Sequence, residues 1–168
     1  ITYGTGGTIF FGQYVGFLIA TLFTGLLADR FGLKSVILLA GVFLLLGAGG
    51  YSTFHTTWLL AASLFVLGLG LGALELGPNA LIVSVHHERK GLFLNLMSVF
   101  HGMGSMVAPL AAGWLLNASV NWRSIYRWEL LLILAFFLYF VFLRFPQKES
   151  QPHEALNFKQ LSKVAFQP

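Results

Sequence analysis

Five long apolar runs, separated by short polar connections, make up most of the chain. The runs predict helices over residues 8–28, 34–51, 58–85, 91–116 and 127–145. A helix of about 20 residues crosses the hydrocarbon core of a bilayer, and each run is close to that length or longer. In lipid the backbone must satisfy its own hydrogen bonds, which favours helices in these runs. The pattern therefore predicts an all-α membrane protein with five transmembrane helices.

The composition agrees with this prediction. Of the 168 residues, 57% are hydrophobic and 10% are charged, and the mean hydropathy is +0.77. A soluble domain carries about 25% charged residues, so this chain has too few polar residues to cover a water-facing surface. The net charge of +4 does not indicate a nucleic-acid partner, because the basic residues lie in short connections and form no continuous stripe. The lipid bilayer is the expected partner.

No enzyme chemistry is evident in the sequence. The chain contains no cysteine, which excludes disulfides, zinc fingers and thiol catalysis. No other nucleophile and no cluster of metal ligands stands out, so we predict neither an enzyme nor a bound metal or cofactor. The chain begins with Ile1 and has no signal-peptide pattern before its first run, which we interpret as the sign of a fragment.

Lysine and arginine residues predict the orientation. One side of the predicted membrane receives Arg30, Lys34, Arg89, Lys90, Arg144, Lys148, Lys159 and Lys163. The other side receives only Arg123 and Arg127. Because cytoplasmic loops carry an excess of Lys and Arg, the first group is expected in the cytoplasm. We therefore expect a multi-pass protein of the plasma (inner) membrane that begins outside and ends inside.

The chain changes character after its last apolar run. Residues 1–145 form the predicted transmembrane bundle, and residues 146–168 form a predicted cytoplasmic linker. Apolar residues recur in the linker with Lys159 and Lys163 between them, a pattern compatible with a basic amphipathic helix on the membrane surface. The spacing is only loosely helical, and a disordered linker is an equal alternative.

Strongly polar residues within the spans are the candidates for function, because burying them in lipid is costly. Glu75 lies deep in the third run, and Asn79 follows one helical turn later on the same face. Pro78 lacks an N–H, which frees the carbonyl of Leu74 beside the carboxyl group. An apolar site favours the protonated form of a carboxyl group, so such a group can carry a proton. A structural carboxyl paired with another helix is the alternative for Glu75.

Three further polar residues are weaker candidates. His101 lies in the fourth run, where it can line a cavity, bind a hydroxyl group, shuttle a proton, or simply pack. Asn95 precedes it in the same run, and Gln13 lies in the first run. We predict that all three line a solute path together with Asn79.

The connection after the first run carries a motif. Residues 25–34 read Gly-Leu-Leu-Ala-Asp-Arg-Phe-Gly-Leu-Lys. This segment resembles the signature loop of the major facilitator superfamily, which joins that family's second and third helices. Gly25, Asp29, Arg30, Gly32 and Lys34 stand at the motif's positions. The resemblance implies that this loop serves the conformational switch, with Asp29 facing the positive N-terminus of a helix in the other half of the transporter.

A narrower resemblance covers the third and fourth runs. Residues 75–79, 94–95 and 100–104 are similar to the fourth and fifth helices of fucose–proton symporters and related sugar porters. In that subfamily the acidic residue that matches Glu75 couples transport to protons, and the matching asparagine, here Asn79, lies near the sugar path. The resemblance implies that this chain holds helices two to six of a twelve-helix fold, without the first helix and the C-terminal half.

These observations lead to a functional prediction with alternatives. We predict part of a secondary transporter that carries a sugar or similar polyhydroxylated solute with a proton or sodium ion, by alternating access. A drug or metabolite exporter of the same superfamily is the nearest alternative, and it is favoured by an apolar, aromatic cavity. A non-transporting membrane assembly or receptor protein is the other alternative, and it requires that Glu75 be permanently paired and shielded.

Overall fold

Five helices form the part of the chain that the computed structural model describes, residues 3–86 and 88–143. They are α1 (Tyr3–Phe31), α2 (Leu33–Thr53), α3 (Thr57–Val85), α4 (Lys90–Asn117) and α5 (Trp122–Phe142). All five are long and apolar enough to cross a membrane, and no strand occurs among the described residues, which confirms the predicted fold class. The predicted linker over 146–168 lies outside the described residues.

Helix α3 is the centre of the bundle. It packs along α1 on one side and α2 on the other, and α5 packs against α2. The core between these helices contains Ile9, Leu44, Ala48, Leu60, Leu64 and Leu67. Helix α4 lies at the periphery and touches α3 and α5 at few positions, so it has no buried residue.

Glycines allow α1 and α3 to approach until their backbones touch. A Cβ atom on Gly16 would overlap the backbone carbonyl oxygen of Phe65, and one on Gly68 would overlap that of Gln13. Small residues at such crossings are a common feature of membrane helices, because dispersion contacts between close backbones replace the hydrophobic effect. Side chains at these two positions would force the helices apart.

The boundary between α1 and α2 differs from the prediction. A polar connection over 29–33 was expected, but α1 continues through Phe31 and only Gly32 separates the helices. Gly32 has a φ of 83°, and its N–H donates to the Ala28 carbonyl at 2.9 Å. Glycine reaches this left-handed conformation without the steric cost of a Cβ. The motif residues Asp29 and Arg30 therefore belong to the last turn of α1 and not to a loop.

The predicted start of the fifth helix is wrong by five positions. Helix α5 begins at Trp122, not at residue 127, and the predicted connection over 117–126 shrinks to 118–121. Asn121 explains the earlier start, because its Oδ1 accepts a hydrogen bond from the Arg123 N–H at 2.9 Å and so caps the helix. At the other end, α5 stops at Phe142 and not at residue 145.

Arg123 fastens the start of α5 to the connection between α2 and α3. Its Nη2 atom donates to the Phe54 carbonyl at 3.3 Å and lies 3.1 Å from His55 Nδ1. The guanidinium also lies over the Trp122 ring, 4.3 Å from its centroid, as cations do on aromatic faces. These contacts place the start of α5 beside the connection between α2 and α3, as alternating helix directions require.

Candidate functional site

A cleft between α3 and α4, with a volume of about 230 Å³, collects most of the predicted polar residues. Its lining consists of Leu74, Glu75, Pro78, Asn79, Met97, Ser98 and His101. The structure thus brings three of the candidate residues, Glu75, Asn79 and His101, into one cleft. Glu75 and Asn79 share a face because they are four residues apart on α3, and His101 reaches the cleft from α4.

The α3 wall of the cleft is shaped by one turn of helix. The Asn79 side-chain amide donates to the backbone carbonyl of Glu75, which holds the Asn79 side chain in one orientation. Pro78 has no N–H to give to the Leu74 carbonyl one turn earlier. The Glu75 side chain is exposed, and no hydrogen bond or ion pair joins its carboxylate to another described residue. A titratable group, an amide and a freed carbonyl therefore lie within one turn.

Two residues on the α4 wall escaped the sequence analysis. Met97 and Ser98 line the cleft beside His101. They precede His101 by four and three positions, the spacings at which helical side chains are neighbours. That spacing was the available signal, since any residue at those positions shares the face of His101. The Ser98 hydroxyl donates to the Leu94 carbonyl at 3.0 Å, so it is held against its own helix.

Two predicted residues do not line this cleft. Gln13 is half-buried on α1, where its backbone carbonyl lies against Gly68 of α3. Asn95 is exposed on α4 and is not among the residues that line the cleft. A role for Gln13 and Asn95 in a solute path stays a prediction.

One residue of the motif over 25–34, Lys34, makes an unexpected contact. The Lys34 ammonium donates to the carbonyls of Val141 and Leu143 at 3.0 and 2.9 Å, at the C-terminal end of α5. A cation is favoured there because the last carbonyls of a helix lack partners. Hydropathy and motif spacing do not indicate this partner, Val141, which lies 107 residues further along the chain.

The other motif residues face outward. Asp29 and Arg30 are exposed, and the Arg30 guanidinium lies 5.4 Å from the Phe31 ring centroid. A Cβ atom on Gly25 would meet no other helix among the described residues within 4 Å. A role for these residues in a conformational switch stays a prediction.

The described residues offer no metal site to this cleft. Within 3–86 and 88–143, no group of three or more His, Asp or Glu side chains is placed to hold a metal ion. The polar atoms of the cleft are one carboxylate, one amide, one hydroxyl and one imidazole. Such a set can exchange a proton and form hydrogen bonds with a small solute.

Membrane-length helices and a polar cleft between two of them define a multi-pass membrane protein. The family model described as the Major Facilitator Superfamily matches residues 1–167. The chain therefore belongs to the major facilitator superfamily, a family of membrane transporters for small molecules. This confirms the resemblance carried by the motif over 25–34.

The chain is also similar to individual members of this superfamily. Over 100 residues the chain is 34% identical to proteins named multidrug resistance protein MdtH from Salmonella newport and Salmonella heidelberg. The match covers 57% of this chain and 24% of each relative, so the chain matches about a quarter of their length. No solved structure matches the chain significantly.

Proposed function

We propose that this chain is part of a secondary transporter that moves a hydroxyl-bearing organic solute together with a proton by alternating access. Glu75 takes up and releases the proton, and Asn79 and His101 bind the solute. The observation that supports this proposal is the cleft between α3 and α4, in which these three side chains meet. In the experiments proposed for it, the complete transporter means this chain together with the remaining helices of the superfamily fold.

The chemistry of the cleft suits such a cycle. The Glu75 carboxylate is exposed and has no partner among the described residues, so a proton can reach it when the cleft opens to water. When the transporter closes and excludes water, a protonated carboxyl group is buried at a much lower free-energy cost than a charged carboxylate. Amide and imidazole groups form hydrogen bonds with hydroxyl groups, which replace the water that the solute leaves behind. Rocking of two helical bundles around this site would complete the cycle.

Export of a drug-like solute is the second candidate. The name of the relatives favours it, since they are called multidrug resistance proteins. The cleft itself favours it less, because its apolar residues are Leu74, Pro78 and Met97 and its only ring other than proline is that of His101. Both candidates use Glu75 for proton coupling and differ in the direction of solute movement and in the solute.

Solute uptake across a pH series tests the proposal. Cells expressing the complete transporter, with Glu75 or Glu75→Gln, are offered a panel of radiolabelled sugars at external pH 5.5–8. The expected result is accumulation of one sugar under an inward proton gradient, and only equilibration or exchange with Glu75→Gln, which keeps the shape and removes the titratable proton. Glu88→Gln is the matched control, because Glu88 is exposed outside this cleft in the connection between α3 and α4.

Each other outcome has a definite meaning. If Glu75→Gln accumulates the sugar like the wild type, Glu75 is structural and the proposed mechanism is wrong. If no sugar enters but a fluorescent drug is extruded in a Glu75-dependent manner, export is the function. If neither solute moves, a non-transporting assembly or receptor protein becomes the better explanation.

We also propose a plasma-membrane location with the start of α1 outside and the end of α5 in the cytoplasm. The excess of basic residues on one side supports this orientation. Because this chain contains no cysteine, single cysteines can be placed at His55 and Glu88 in a cysteine-free complete transporter. A membrane-impermeant maleimide applied to intact cells should label position 55 and spare position 88. The reverse pattern would mean the opposite orientation.

A further inference from the structure

We infer that the cleft between α3 and α4 selects its solute through hydrogen-bond donors and rejects anions. This inference rests on the proposed function, because it names the class of solute for the same site. It follows from which donor and acceptor atoms of the cleft are already used by the protein and which remain for a solute.

On the α3 wall, the acceptors outnumber the donors. The Glu75 carboxylate, when ionised, offers only acceptor oxygens. Asn79 gives one of its two amide hydrogens to the Glu75 carbonyl, so its oxygen Oδ1 and a single N–H are left for a solute. Pro78 also leaves the Leu74 carbonyl without its usual helical donor.

The α4 wall has the same bias. The Ser98 hydroxyl has one hydrogen, and that hydrogen is donated to the Leu94 carbonyl at 3.0 Å. What remains at Ser98 Oγ is acceptor capacity alone. Neutral His101 adds one N–H and one acceptor nitrogen. Over both walls a solute therefore finds many acceptor positions and at most two donors.

Charge adds to this bias. Among the described residues, Glu75 is the only carboxylate in the lining, and none of the lysine or arginine side chains lines the cleft. While Glu75 is ionised and His101 is neutral, a carboxylate or phosphate on the solute would face a like charge with no described cation in the lining to compensate, and juxtaposed like charges are strongly unfavourable. Hydroxyl groups and protonated amines, in contrast, donate to these acceptors, and donors that face an ionised acceptor form the stronger hydrogen bonds.

The size of the cleft limits what it holds. Its volume of about 230 Å³ is below the range of about 300–1,000 Å³ found for pockets that enclose a drug-sized ligand. The cleft therefore receives one donor-bearing end of the solute, such as the edge of a sugar ring or an ammonium group. Leu74, Pro78 and Met97 supply the apolar surface against which the carbon skeleton of that end can pack.

Two matched solute series test the inference in the complete transporter. The first compares glucose with glucosamine, in which an ammonium group replaces the C2 hydroxyl, and with glucuronic acid, in which a carboxylate replaces the C6 hydroxymethyl group. The second compares a protonated dimethylalkylamine, which has an N–H, with its trimethylated analogue, which has none. Binding is measured as the change in tryptophan fluorescence of the purified protein, and transport is measured in proteoliposomes.

The expected result is a ranking by donors. Glucose or glucosamine, or the dimethylalkylamine in its own series, binds at least tenfold more tightly than the matched anion or donor-free analogue. Glu75→Gln should reduce the discrimination against glucuronic acid. Ser98→Ala should weaken binding of the preferred solute roughly three- to tenfold, as expected for the loss of one hydrogen bond. Ser84→Ala is the control, because Ser84 also donates to its own helix, at 2.8 Å to the Leu81 carbonyl, but does not line this cleft.

The outcomes separate this inference from the proposed function. If a sugar is transported but glucuronic acid binds as well as glucose, the inference is wrong and the proposed function stands. If only the amine series binds, and the N–H-bearing member is preferred, the inference stands and export replaces sugar symport. If the trimethylated analogue binds as well as the dimethylalkylamine, donor selection is wrong. If no member of either series binds, both are wrong.

Discussion

Asn79 shows how a single side chain decides what the cleft presents. Its amide is turned back onto the Glu75 carbonyl of its own helix, which fixes the direction of its oxygen. The sequence identified Glu75, Asn79 and His101 because polar residues are conspicuous in apolar spans. It could not separate them from Asn95 and Gln13, because lining the cleft depends on the rotation of each helix about its axis. That rotation is set by packing contacts between helices and not by residue type.

The first prediction compares the two asparagines. Asn79→Ala should raise the KM for the transported solute about three- to tenfold, because one hydrogen-bonding group of the cleft is lost. Asn95→Ala should leave the KM within about twofold, because Asn95 does not line the cleft and Ala is the best helix former. Uptake kinetics of both variants measure the difference. Equal effects would mean that the solute path includes the face of Asn95.

At the scale of helices, all five elements were predicted, but some of their ends were not. The apolar runs located all five helices, since length and hydropathy suffice for that. The ends depend on single residues that hydropathy does not weigh. Gly32 ends α1 through its left-handed conformation, and Asn121 starts α5 through a side-chain hydrogen bond. Asparagine is a common N-cap residue, so Asn121 could have been recognised as a helix start, but the predicted apolar run began only at residue 127.

The contact of Lys34 with the end of α5 gives the second prediction. Lys34→Met should lower the free energy of unfolding by about 1–3 kcal/mol, because two hydrogen bonds from a charged donor are lost. Lys34→Arg should retain most of the stability. Thermal unfolding of the purified protein in detergent measures both variants.

Lys90→Met is the control for that experiment. Lys90 stands at the first residue of α4, where the helix dipole disfavours a cation, so its removal should be neutral or slightly stabilising. A loss of stability with Lys90→Met as large as that with Lys34→Met would assign the effect to general surface charge.

The crossing of α1 and α3 gives the third prediction. Gly68→Ala should destabilise the protein by about 1–3 kcal/mol, because the added methyl group overlaps the Gln13 carbonyl. Gly91→Ala should be neutral or stabilising, since no described residue outside its own helix lies within 4 Å of a Cβ at that position. Thermal unfolding again measures the change. An unaffected Gly68→Ala variant would mean that the two helices do not touch there.

At the scale of the whole molecule, the helices are unequally held. Helix α3 contributes buried residues along most of its length, whereas α4 contributes none. The cleft is therefore formed by one firmly packed wall and one wall with few contacts to the rest of the described chain. Local opening is easiest where buried contacts are few.

This difference gives the fourth prediction. In hydrogen exchange of this chain in detergent micelles, backbone amides of α4 should exchange at least tenfold faster than those of α3. Amides of α1 facing α3 should exchange as slowly as α3 itself, because the two helices cover each other. Equal protection of α3 and α4 would contradict the description of α4 as a weakly held wall.

The bond between Lys34 and the end of α5 has a consequence for biosynthesis. Lys34 and Val141 are 107 positions apart in the chain. A ribosome that adds about 5–20 residues per second delivers the lysine roughly 5–20 s before its carbonyl partners exist. During that interval α2, α3 and α4 are synthesised, while the Lys34 ammonium lacks these two carbonyl acceptors. The hydrogen bonds that attach α5 to Lys34 are thus among the last contacts to form among the described helices. A chain whose synthesis stalls before residue 141 cannot form them.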